Sequence, residues 1–75
     1  MKDFINEWAN DCNVKVLDWR YYGDSELDYG WIDIEGESVF TNIINHFSTL
    51  ADRRNWGYRI KEIEFNSYRI TLWFE

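Results

Sequence analysis

The stretch that decides the fold is Tyr29-Gly30-Trp31-Ile32-Asp33-Ile34-Glu35. In an extended chain successive side chains project to opposite faces, so Ile32 and Ile34 point one way and Trp31, Asp33 and Glu35 the other. A strand with one apolar face and one mixed face belongs to a sheet covered on a single side. The flanking sequence must supply that cover.

Upstream, Gly23-Asp24-Ser25-Glu26-Leu27-Asp28 reads as a polar turn and Val14–Tyr22 as the strand before it. The two faces of that strand are Val14, Val16, Asp18, Arg20, Tyr22 and Lys15, Leu17, Trp19, Tyr21. Neither is cleanly polar, which fits cover on both sides or a bulge. Before it, Phe4, Ile5, Trp8 and Cys12 fall on one stripe of a helix over about Asp3–Asp11. Asp3 is placed to cap its start and Asn10–Asn13 to end it.

Downstream, Ser38 is placed to cap a second helix over about Val39–Asn55. Phe40, Ile43, Ile44, Phe47, Leu50, Ala51 and Arg54 trace its broad stripe. Arg53 and Arg54 suit the negative end of the helix dipole, and Gly57 marks the stop. The last strands, Tyr58–Phe65 and Tyr68–Glu75, meet at Asn66-Ser67, read as a two-residue turn. That turn sets Phe65 opposite Tyr68, Glu64 opposite Arg69 and Ile63 opposite Ile70. Alternation slips at Lys61-Glu62, where a bulge reconciles Tyr58 and Ile60 with Ile63 and Phe65.

The order α-β-β-α-β-β predicts a single small α+β domain over residues 1–75: a four-stranded, mostly antiparallel sheet with two helices packed on one face. The second αββ unit echoes the first in element order, though not in residues.

Composition narrows the functions. The net charge is −6, and it is carried by residues 18–37, where Asp18, Asp24, Glu26, Asp28, Asp33, Glu35 and Glu37 face a single base, Arg20. Acidity of this kind argues against direct nucleic-acid binding, which needs a Lys/Arg surface, and against anionic membranes. No apolar run reaches the ~20 residues of a membrane span. The opening MKDFINEWAND is acidic where a secretory signal would be basic and then apolar, and Cys12 is the sole cysteine; both lead us to expect a cytoplasmic protein. Aromatic residues make up 20% of the chain, more than a core this small needs, so some belong to a surface or an interface.

With both helices on one face, that face takes Ile32, Ile34, Tyr68, Ile70, Leu72 and Phe74. The opposite face then carries Trp31, Asp33, Glu35, Arg69, Thr71 and Trp73, joined by Trp19 and Tyr21. Trp and Tyr are the side chains that anchor protein interfaces. Asp33, Glu35 and Glu37 alternate along one strand at about 6–7 Å, similar to successive phosphates of a nucleic acid. Asp24, Glu26 and Asp28 add charge in the neighbouring turn. In size and charge the chain resembles the small acidic proteins that phages and mobile elements use to block host defences. That resemblance is compositional and carries no motif.

Other constellations are weaker. Asp24, Glu26, Asp28 and Glu35 match positions 1, 3, 5 and 12 of a calcium loop. Tyr29 stands where the loop needs glycine, and a strand follows instead of a helix. One histidine and one cysteine do not make a zinc site. His46 flanks the second helix's stripe, and Cys12 lies on the first helix's stripe, where thiols are inert core. No Gly-rich phosphate loop is present. The expectation is a non-enzymatic domain without cofactor or metal. It would bind a basic, nucleic-acid-handling protein as an inhibitor, through Trp19, Tyr21, Trp31, Trp73, Asp24, Glu26, Asp28, Asp33, Glu35 and Glu37. The alternatives are a homodimer that buries its aromatic faces, a binder of a planar small molecule or nucleotide, and an immunity or antitoxin protein.

Overall fold

The elements are α1 (Lys2–Cys12), β1 (Val16–Gly23), β2 (Asp28–Glu35), α2 (Phe40–Arg53), β3 (Ile60–Phe65) and β4 (Arg69–Phe74). The computed structural model describes residues 1–23, 28–36 and 40–75. Asp24, Glu26, Glu37 and the Ser38 cap expected from the sequence lie outside the described residues. All four strands pair antiparallel in the order β1-β2-β4-β3. β2 and β4 carry all the buried residues of the four strands and take the centre, while the more exposed β1 and β3 form the edges. Among the described residues, no helix is long and apolar enough to cross a membrane.

Both helices pack on one face of the sheet. The core joins Phe4, Ile5 and Trp8 of α1 and Ile43, Phe47, Leu50 and Ala51 of α2 to Ile32, Ile34, Ile70, Leu72 and Phe74 beneath them. Phe47 is its hub: the rings of Phe4, Trp8 and Phe74 stand 5.0, 6.0 and 5.4 Å from it, mostly edge-on, an arrangement that adds quadrupole attraction to area burial. Trp8 is completely buried, and its indole N–H donates to the Ile43 carbonyl at 2.8 Å. That bond removes the cost of a buried polar atom and ties α1 to α2.

The helix ends differ from the sequence reading. α1 begins at Lys2 with Met1 as its cap and no side-chain cap bond, so Asp3 lies inside the first turn. Asn13 and Asn55 are both left-handed, with φ of 55° and 58°. The Val14 N–H donates to the Ala9 carbonyl and the Trp56 N–H to the Ala51 carbonyl, closing each helix in the same Schellman motif. The expected stop, Gly57, is therefore displaced two residues upstream to Asn55.

Both edge strands carry an irregularity near their start, between Val16 and Asp18 in β1 and between Ile60 and Glu62 in β3. The second is the bulge expected at Lys61-Glu62. The first settles which way β1 faces: past the slip, Trp19 lies beside Ile32 and Tyr21 beside Gly30 on the helix-covered face. Each αββ unit thus ends its helix on an asparagine and opens its first strand with a bulge, so the echo in element order extends to local geometry.

The β3–β4 register is shifted by two from the expectation. Phe65 faces Ile70, Glu64 faces Thr71 and Ile63 faces Leu72, with the Asn66 N–H donating to the Arg69 carbonyl at 2.9 Å. The tight turn is Ser67-Tyr68. A shift of two leaves every strand side chain on its face, but it moves Tyr68 out of the covered layer to a position 68% exposed. It also separates Arg69 from Glu64 and delivers Arg69 to Asp33, whose buried carboxylate would be costly without a cation.

Candidate binding face

The sheet face away from the helices is the candidate site, and its layout follows from the register. One row across the strands reads Arg20, Trp31, Trp73, Glu62, and the next Asp18, Asp33, Thr71, Glu64. Tyr22 and Tyr29 stack at 4.8 Å at one end. Arg69 and Glu35 are cross-strand neighbours at the other. Trp31 and Trp73 stand opposite each other on the two central strands, partly buried but outside the hydrophobic core. Of the three Trp expected on this face, Trp31 and Trp73 lie on it.

Five of the expected residues, Asp28 among them, are turned away from it or already bonded. Trp19 and Tyr21 pack against the core on the far side of the sheet, because the β1 bulge reverses the faces. Asp33 is on the open face but only 6% exposed. Its Oδ1 accepts a hydrogen bond from the Thr71 hydroxyl at 2.5 Å and its Oδ2 one from Arg69 at 3.1 Å. The carboxylate is thus neutralised within the sheet. Glu35 is in an ion pair with Lys15 at 3.5 Å. The free ladder of Asp33, Glu35 and Glu37 is therefore not formed over the two described residues.

Asp28 has another task. Tyr21 and Tyr58 both donate to its carboxylate, at 2.5 and 2.8 Å, and their hydroxyl oxygens lie 2.7 Å apart. This knot joins β2 to the segment before β3 beside Phe74, which contacts both rings. Burial, the Tyr21 hydroxyl and Asp28 push the Tyr58 hydroxyl well above the ordinary phenol range, and the bond to Asp28 raises Tyr21 as well. Gly30 leaves the space Phe74 needs: a Cβ there would run into the Arg20 backbone carbonyl and fall 2.5 Å from the Phe74 ring.

The remaining charges are sorted by the fold. Glu7, Asp11, Asp52, Asp33 and Glu35 are paired with Arg54, His46, Arg59, Arg69 and Lys15. Among the described residues, the carboxylates with neither a basic nor a tyrosine partner are Asp3, Asp18, Glu62, Glu64 and Glu75. All but Asp3 belong to the open face or its continuation at the end of β4. Asp18, Glu62 and Glu64 were missed as site residues. The alternation that places Ile63 and Phe65 inward already places Glu62 and Glu64 outward, so the signal was present.

A cleft between the helices, lined by Asp11, Cys12, Asn42, Asn45, His46 and Thr49, holds the cysteine and the histidine together. His46 Nε2 is taken by Asp11 at 2.9 Å. Burial and the nearby Asp11 push the Cys12 thiol up, the opposite of what an activated nucleophile needs. Of the calcium-loop spacing, Asp28 is bonded to tyrosines and Glu35 to Lys15, while Asp24 and Glu26 lie outside the described residues.

Compared with protein-family models, curated proteins and solved structures, the chain matches none.

Proposed function

We propose that the domain acts without catalysis, by docking its open sheet face onto a basic protein. The observation that carries this reading is the sorting of charge among the described residues: carboxylates left without a cation collect around Trp31 and Trp73, while those elsewhere are mostly neutralised in place. A central aromatic pair with charges at its rim is the composition of an interface, the rings supplying affinity and the rim supplying encounter rate and register. The fitting partner surface is rich in Lys and Arg, as in the groove of a nucleic-acid-handling protein. Occupying that groove would make the domain an inhibitor.

The test is capture by the immobilised domain from a host lysate at low salt. The bound protein should be basic, should elute as salt rises, and should be lost with Trp31→Ala or Trp73→Ala. Capture that ignores both salt and these substitutions would overturn the reading.

A further inference from the structure

We infer that the cleft beside Trp73 takes an arginine side chain of the docked partner. The inference rests on the docking reading and names what its central contact recognises. A shallow cleft of ≈ 300 Å³ opens where β2, β3 and β4 come together, and Tyr29, Trp73, Glu62, Glu75 and Lys61 line it. Trp73 and Glu62 are cross-strand neighbours, and Glu75 follows Trp73 by two residues on the same side of the chain. The cleft therefore combines aromatic surface with two carboxylates that have no hydrogen-bond or ion-pair partner among the described residues.

This chemistry selects a guanidinium. A planar, weakly hydrated cation stacks on an indole or phenol ring, and its fork of N–H donors reaches two carboxylates at once. An ammonium is a compact, strongly hydrated point charge and uses only part of the site. A neutral planar ring gains the stacking and leaves both carboxylates unsatisfied. The protein already uses the same contact internally: the Arg20, Arg54 and Arg69 guanidiniums lie 5.3–5.9 Å from the centroids of Tyr22, Phe4, Trp56 and Tyr68. Lys61, the extra residue of the β3 bulge, reaches the same cleft and competes with an incoming cation.

The experiment titrates the whole domain with short Arg-only and Lys-only peptides of equal length at one salt concentration, following the Trp73 and Trp31 indole N–H resonances. The Arg peptide should bind about tenfold tighter and shift Trp73 most. Glu62→Gln with Glu75→Gln, both at exposed positions, should erase the preference, and Lys61→Met should raise affinity for the Arg peptide. Equal binding of the two peptides at the open face overturns the arginine cleft and leaves the docking reading standing. A preference that survives the double substitution also overturns it. If neither peptide shifts any open-face resonance, both the cleft and the docking reading fail.

Discussion

Asp33 and Thr71 face each other on the two central strands, and the Thr71 hydroxyl donates to Asp33 Oδ1 in a nearly water-free position. The residue that reads in the sequence as the middle of an acidic array is thus a structural carboxylate. Removing it leaves Thr71 and Arg69 without their acceptor. Asp33→Ala should cost about 2 kcal/mol and Thr71→Val about 1 kcal/mol. Chemical denaturation should show the double variant losing less than the two combined, because both remove one bond. Asp33→Lys should destabilise the sheet itself.

The tyrosine knot makes stability sensitive to alkaline pH. Tyr58 loses its proton less readily when folded than when unfolded, where 10.0 is the ordinary value. A raised folded value means the contribution is fully present below pH 10.0 and falls as pH rises beyond it. Tyr58→Phe should therefore lower stability at neutral pH and flatten its decline above that point. Thermal melts across the alkaline range check this, and parallel profiles for the two proteins would count against the knot.

The asparagine that ends α2 is a sharper test than the glycine after it. Asn55→Ala forces a Cβ-bearing residue without asparagine's tolerance into a left-handed conformation, at about 1 kcal/mol. Gly57 has no positive φ, and a Cβ there meets nothing within 4 Å. Gly57→Ala should be neutral or stabilising by about 0.5 kcal/mol.

Element order, the one-sided sheet and the β3 bulge were legible because they follow from apolar periodicity, which is local. The facing of β1 was not. Its alternation through Val14–Tyr22 is ambiguous, and only pairing with β2 places the slip at Leu17 and turns Trp19 and Tyr21 to the core. The hairpin register failed by two for a related reason. A two-residue turn at Asn66-Ser67 and one at Ser67-Tyr68 look alike locally, and the choice is tied to Arg69 reaching Asp33, a partner 36 residues away. Trp31 and Trp73 share the open face as their alternation implies, because they sit on the central strands, where alternation is clean. The partners of Asp28, Asp33 and Glu35 were not legible, because whether a carboxylate is paired depends on tertiary contacts that composition does not reveal.

If the open face docks as proposed, charge position on that face, and not net charge, directs binding. The most direct measurement compares Glu64→Lys with Asp3→Lys for affinity toward the captured partner at low salt. Both replace an unpaired acid by lysine and alter net charge equally, one on the open face and one on α1. Glu64→Lys should weaken binding about tenfold or more while Asp3→Lys leaves it within about twofold. Equal losses from the two variants would contradict it.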